Sequence, residues 1–491
     1  MHMNITPEIE SFITEYVKAL KADSASVFAG AGLSIPAGAV PWKELLRQPA
    51  KELQLDVDKE HDLVILAQYF YNKHRSRQKL SQLIIDHFHE KGRITDNHHI
   101  LANLPINSYW TTNYDRLIET ALEQNGKTPD TKRRIEDFSI IRPRRDAIVY
   151  KMHGDVDLAD KVTLTKDDYE TYQENHHLFT LSLKGELVSK TFLFIGFSFE
   201  DPNLEYILSR IRGLVDGHTR THYCFFKKIS RSSYPKGKKG IEQFRYDTVK
   251  QNLKCADLIR YHIQPILVEE YSDITEILSI IYEQYRRQKV FISGSAANYD
   301  GFELKDMNPT EFIHKLSYRL NSEGCKIVTG FGSGVGSAVI NGVLERIYET
   351  TERKLDNHLL MRPFPQFITN AQSRDELWDK YRRMLIPEAG IAIFMFGNKE
   401  KNGEIIDADG VQKEFAIAVE HGLKIIPIGI TGYVSKALWE EVISQFTTYY
   451  KDYPTLKSEF KKLGNNKLSS NEIIETIITI VKTINGGDIN G

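Results

Sequence analysis

The sequence predicts an α/β protein made of two doubly wound, parallel-sheet domains. Three observations carry this. Short apolar strands alternate with segments of helical period along most of the chain, the pattern of parallel sheets covered by helices on both faces. Several of those strands run directly into polar, glycine-containing turns, the loops that line the ligand crevice in such sheets. The rhythm then stops and restarts near Arg286, in a chain of 491 residues that is long enough for two or three domains.

Taken in order, Ile9, Phe12, Ile13, Val17 and Leu20 recur at a helical period and predict a helix over residues 7–21. SVFAGAGLS (26–34) reads as a strand entering a glycine turn, and helical segments follow, clearest over 42–53 and 61–74. SYWTTNYD (108–115) is a second strand-to-loop transition, followed by the helix-like RLIETALEQ. AIVYKMHGD (147–155) and KTFLFIGFSFEDPNL (190–204) are the third and fourth. Residues 219–263 are polar and basic; HIQPILVEEY then gives a strand and ITEILSIIYEQY a helix. The second unit opens with strand KVFISGSA (289–296), a helix over 309–321, strand CKIVTG and the loop GFGSGVG. Strand GIAIFMFGN, helix VQKEFAIAVEHG and strand KIIPIGITG complete it, and both units read as Rossmann-like.

Composition limits the function classes. Lys plus Arg (64) nearly balances Asp plus Glu (66), so no overall field draws the chain to a phosphate backbone, and no nucleic-acid partner is expected. Three scattered cysteines, Cys224, Cys255 and Cys325, make neither a four-cysteine zinc site nor a disulfide framework; no metal is expected, and a reducing cytoplasm fits. MHMNITPEIESF has no signal-peptide character and no apolar run approaches a membrane span, so a cytoplasmic protein without a membrane partner is expected.

Four stretches at predicted strand ends carry the chemistry. Gly30, Ala31, Gly32 and Ser34 form a small-residue turn whose amides suit a pyrophosphate, although a G-x-G turn alone is as readily a packing device. Thr112, Asn113 and Asp115 place an amide and a carboxylate at a second strand end, where either residue type also serves as a helix cap. His153, next to Gly154, offers an imidazole at a third. Gly196, Ser198, Asp201 and Asn203 form a turn with hydroxyl, carboxylate and amide groups suited to a ribose.

In this order, GAGLS, TTNYD, the strand-end HG and GFSFEDPNL resemble the NAD-binding motifs of the sirtuin-like superfamily, over roughly residues 1–285. The resemblance implies that Gly30 to Ser34 hold the NAD⁺ diphosphate and that Asn113 and Asp115 lie near the nicotinamide and its ribose. It implies that His153 is the catalytic histidine and that Gly196, Ser198 and Asn203 contact the adenosine side. Protein deacylases of the superfamily carry a four-cysteine zinc module and an Asp-Phe-Arg segment; this chain has three cysteines and reads IPAGAVPWKEL instead. The shared first step, cleavage of the nicotinamide–ribose bond, remains, with water as acceptor. Asn113 is then expected to orient water or the nicotinamide amide, and His153 to accept a proton.

The second unit has its own strand-end loops, Gly294-Ser295 and Gly332-Ser333-Gly334-Val335, the latter leading into the helix SAVINGVLERIYE. Arg362 and Lys380, with Arg382 and Arg383, supply cations, and Glu414 is a candidate for a ribose hydroxyl. No nucleophile or acid–base pair is set among them, so the unit reads as a binder. It resembles the SLOG superfamily from roughly residue 287 to 480. The expected organisation is thus 1–285, a sirtuin-like NAD-hydrolysing domain, and 286–491, a SLOG nucleotide-sensing regulatory domain.

The pairing resembles the effectors of the bacterial Thoeris antiphage system. That resemblance implies NAD⁺ as substrate, a cyclic ADP-ribose isomer as activator, a TIR-domain protein as the partner that makes it, and a homotetramer or larger assembly. A protein deacylase and a non-catalytic NAD⁺ or ADP-ribose sensor are the alternatives.

Overall fold

Strand β1 (Ala25–Ala29) is buried at all five positions, because helices cover both faces of the parallel sheet it belongs to. The computed structural model describes residues 5–89, 92–199, 201, 203–205, 207–209, 220–351, 354–365 and 373–486. Glu200 and Pro202 of the fourth stretch, Gln366 and the tail from 487 lie outside the described residues. The chain divides into two compact units, Met1–Tyr282 and Glu283–Gly491.

The first unit is built on a seven-stranded sheet of order β3-β4-β2-β1-β5-β6-β7. Its further strands are β2 (Ser108–Thr111), β3 (Pro129–Lys132), β4 (Ala147–Lys151), β5 (Thr191–Ile195), β6 (His222–Lys227) and β7 (Ile263–Val268). Every pairing is parallel, with Val27 opposite Tyr109 and Leu193, and Thr111 opposite Lys151. Strand order reverses between β1 and β5, the switch point at which a doubly wound sheet opens its crevice. One core face gathers Phe28, Trp110, Tyr150, Phe192 and Phe194, with Trp110 stacked on Tyr150 at 4.0 Å. A second apolar cluster joins Leu45, Leu66, Phe70, Ile84 and Phe88 to Tyr114 and Leu164, and fixes a helical layer beside the strand ends.

Two segments differ from expectation. The helix expected over 42–53 is two short ones, Trp42–Leu45 and Arg47–Glu52, divided at Leu46. Pro49 lies in the first turn of the second, where its missing N–H leaves no intrahelical bond unmade. The polar stretch 219–263 holds β6 and a 22-residue helix, Lys238–Ile259. That helix buries only Gly240 and Leu258 and exposes Tyr246, Val249 and Leu253, so its sequence carries no inward apolar stripe.

The second unit has a five-stranded parallel sheet of order β10-β9-β8-β11-β14. The strands are β8 (Lys289–Ser295), β9 (Lys326–Thr329), β10 (Leu359–Met361), β11 (Ile391–Phe396) and β14 (Lys424–Pro427). An antiparallel hairpin of β12 (Asn398–Lys401) and β13 (Glu404–Asp407) follows β11. Order reverses between β8 and β11. The helix Ser470–Gly486 buries Ile473, Ile477, Ile480, Val481 and Ile484 against this core. Among the described residues no helix is long and apolar enough to cross a membrane.

Candidate functional site

Two glycine loops interlock at the switch point of the first unit. Gly30 N–H donates to Ile195 O at 2.9 Å and Gly32 N–H to Gly196 O at 2.8 Å. A Cβ on Gly32 would stand 2.7 Å from Gly196 Cα, and one on Gly196, whose φ is +65°, 2.2 Å from Leu33 N. The G-x-G turn is therefore a packing device as well as a candidate phosphate contact. The helical turn it opens, Ala31–Ser34, is only four residues long and passes into a 3₁₀ turn, Ile35–Ala37.

Beside these loops lies a cavity of about 650 Å³. Of the residues singled out in the sequence, Ala31, Gly32, Ser34, Thr112, Asn113, Asp115, His153, Gly196, Ser198 and Asp201 line it. Gly30 and Asn203 are not in its wall; Asn203 is buried, and its Nδ2 has no hydrogen-bond partner among the described residues. Asn113 is held by its own amide: Nδ2 donates to Gly30 O (3.0 Å) and Ser34 Oγ (2.9 Å), so the β2 loop is tied to the β1 loop. Its Oδ1 takes part in neither bond. Asp115 caps Leu117 N–H through Oδ1 (3.1 Å), while Oδ2 is buried and unpartnered.

His153 is 3 % exposed. Burial holds its imidazole below the ordinary histidine range, with the carboxylates of Asp201 and Asp168 pulling the other way. Nε2 stands 3.2 Å from Asp201 Oδ2 but out of line for a good hydrogen bond. Asp201 Oδ1 accepts from Asn203 N–H (3.0 Å) and Leu204 N–H (3.1 Å), which fixes the carboxylate at the start of a helical turn.

Sequence reasoning missed Tyr169, whose ring meets His153 edge-on at 5.5 Å and whose hydroxyl lies 3.5 Å from Asp201 Oδ2. Its short helix, Lys166–Glu170, is anchored by Arg77 on Asp168 (2.8 and 3.0 Å) and by Gln68 on Asp167 (2.8 Å). The helical layer also brings Trp42, Asp62 and Phe88 to the wall. Nothing near these residues in the sequence marks them, because they reach the strand ends only through tertiary packing.

In the second unit the β8 and β9 loops interlock in the same way. Ala296 N–H donates to Ser333 O (2.8 Å), and a Cβ on Gly332 or Gly334 would meet the carbonyl oxygens of Gly294 or Ala296 at 1.9 and 2.1 Å. Ser295 Oγ donates to Asn398 O (3.0 Å), and Val335 precedes the helix Gly336–Tyr348. Arg362 extends β10 past its end, its N–H on Thr329 O (3.1 Å) and its guanidinium 3.8 Å from Glu388. Glu414 is 8 % exposed and accepts from Ser293 Oγ (2.6 Å) and Arg382 Nε (3.3 Å). Burial raises its pKa, against the pull of Ser293 and Arg382. Arg382 in turn lies over the rings of Phe364 and Trp378. Lys380 is exposed on another face of the same helix (Arg374–Leu385), in a hollow with Asp375, Asp379 and Lys413, and is not brought together with Glu414.

Two family models match the chain, one lying in each unit for most of the matched stretch. Residues 107–244 match the model of the SIR2-like domain, and residues 273–484 that of the Sir2- and TIR-associating SLOG family. A protein of Cytobacillus dafuensis named NAD(+) hydrolase ThsA is 55% identical over 97% of this chain and 97% of its own. Proteins of the same name from Bacillus cereus (strain MSX-D12) and Acinetobacter baumannii (strain 532279) are 45% and 44% identical, over 98% and 97% of this chain and 100% and 99% of theirs. With a site at the first switch point and relatives that match from end to end, the chain belongs to the NAD(+) hydrolase ThsA family.

Proposed function

We propose that the protein hydrolyses NAD⁺ at the nicotinamide–ribose bond in the 650 Å³ cavity of its first unit. The observation that carries this is the convergence there of the Asn113 amide and the buried His153 imidazole, beside a small-residue turn that admits a diphosphate. Nicotinamide leaves as a neutral molecule, and the ribose passes through an oxocarbenium-like state that the Asp115 carboxylate favours electrostatically. Water adds to the anomeric carbon, giving ADP-ribose. His153, neutral because burial depresses its pKa, takes the proton that water gives up and passes it to solvent. Asn113 orients the water or the nicotinamide amide through Oδ1. Gly32, Ser34, Gly196 and Ser198 hold the diphosphate and adenosine side.

We also propose that the second unit senses a cyclic ADP-ribose isomer at its strand-end loops. Gly294, Ser295, Gly332, Ser333, Gly334 and Val335 take the phosphates, and Arg362 supplies positive charge. The SLOG family's description as Sir2- and TIR-associating supports a TIR-domain protein as the source of that signal, in antiphage defence. The likeness to Thoeris effectors supports a homotetramer or larger assembly.

The test is nicotinamide release from NAD⁺ by the purified protein, with and without a panel of cyclic ADP-ribose isomers. Release is expected to rise with one isomer and to fall by at least about 100-fold in His153→Ala and Asn113→Ala. NAD⁺ bound but never cleaved would replace the hydrolase with a sensor.

A further inference from the structure

Lys151 ends β4, two residues before His153, and is 0 % exposed. In the sheet it stands opposite Thr111, two residues before Asn113, so the two loops that carry the proposed catalytic groups leave the sheet side by side. Its ammonium donates to the backbone carbonyl of Asp115, in the Asn113 loop. It pairs with Asp155 Oδ2 at 3.1 Å, in the His153 loop, and with Glu119 Oε1 at 3.6 Å, on the helix Leu117–Gln124. One ammonium thus reaches three elements, through one hydrogen bond to the Asp115 carbonyl and two ion pairs.

A buried ammonium is a poor source of stability, since an apolar side chain would fill the space without desolvation. What it provides is direction: fixed donors that set the separation of two loops. The loops also share a backbone bond, Val156 N–H to Tyr114 O at 2.9 Å, and Lys151 adds a tie next to the residues that matter. The carboxylates outnumber it. Both Glu119 oxygens and Oδ2 of Asp115 and Asp155 lack hydrogen-bond partners among the described residues. Burial raises the Glu119 pKa, with Asp155 and Asp115 adding to it against the pull of Lys151.

We infer that Lys151 is a positioning residue for NAD⁺ hydrolysis, an ammonium tie that holds the Asn113 and His153 loops at their working separation. The inference rests on the hydrolase reading for its effect on turnover, and on geometry alone for its effect on the loops.

The test compares Lys151→Met and Asp155→Asn with wild type in the full chain. Four quantities are read: nicotinamide release with the best activator of the cyclic ADP-ribose panel, ADP-ribose affinity, thermal midpoint, and amide hydrogen exchange at residues 112–115 and 153–156. Lys151→Met is expected to lower kcat by about 100-fold, the scale of a misplacement near 1 Å, and to leave ADP-ribose affinity within about threefold. Exchange in the two loops should quicken by about tenfold or more while β2 and β4 keep their protection. Asp155→Asn retains the Oδ1 acceptor for Asp157 N–H and weakens only the tie, so a loss of about tenfold in kcat is expected. It also carries the test if Lys151→Met does not fold. Folded variants with unchanged turnover and loop exchange would overturn the inference, as would losses shared equally by turnover and ADP-ribose affinity. Failure of both variants to fold would overturn it too, by making the role one of stability. Wild type that releases no nicotinamide removes the hydrolase reading, and loop exchange still decides whether Lys151 is the tie.

Discussion

At the scale of single residues, the burial of His153 decides how the activity should respond to pH. An imidazole held below its ordinary value is neutral at pH 7 and stays so through the range where a free histidine, near pKa ~6.5, would become charged. The proton-acceptor role proposed for it is lost only as pH falls through the depressed value. The acid limb of kcat is therefore expected to lie below about pH 6.5, and a limb centred at or above that value would show that a different group sets the profile. Asp201 and Asp168 oppose the shift, so Asp201→Asn should move the limb further toward acid, in the same titration of nicotinamide release. Asn113 behaves differently: it does not titrate, and its own hydrogen bonds to Gly30 and Ser34 fix it before any ligand arrives.

At the scale of elements, the β1 and β5 loops are one structure made from two stretches 166 positions apart, counting from Gly30 to Gly196. Gly196→Ala puts a methyl group into Leu33 N and asks a non-glycine residue to hold φ +65°. A destabilisation of about 1–3 kcal/mol is expected, read as a lowered thermal midpoint, together with loss of nicotinamide release. An unchanged midpoint would mean that the loops separate easily. This element also marks how far the sequence could be read. Strand alternation and the four strand-end stretches were legible because strand ends in a parallel sheet are local in sequence, and most of the cavity wall came from them. Tyr169, Trp42 and Lys151 were not, since a tyrosine in a polar helix or a lysine closing a strand looks ordinary until packing gives it neighbours. The helix Lys238–Ile259 escaped for the opposite reason: its apolar residues face outward, so no buried stripe announces it. Glu414, a candidate for a ribose hydroxyl in the sequence, is already engaged by Ser293 and Arg382, which lie 121 and 32 positions away and carry no local sign of it.

At the scale of the whole molecule, control requires a ligand that prefers one state of the protein to another. Moving a hydrolase from mostly off to mostly on takes about 5.5 kcal/mol of differential binding, which phosphates on interlocked loop amides and a strand-end guanidinium are suited to supply. Arg362 is 39 % exposed in its side chain and held only by long contacts, 3.8 Å to Glu388 and 3.4 Å to Met384 O, which a phosphate could displace. Arg362→Ala is expected to abolish activation by the cyclic nucleotide while NAD⁺ affinity stays within about twofold, measured as nicotinamide release across an activator titration. Equal activation of the variant and wild type would move the sensing site elsewhere in the second unit.

The enclosed ammonium of Lys151 has one further consequence. An amine-reactive reagent can reach most of the lysines on this surface while the fold is closed, but not one that solvent itself does not touch. Labelling at that single position would therefore count only molecules whose strand-end loops have come apart, and the peptide that contains it becomes a built-in clock for opening.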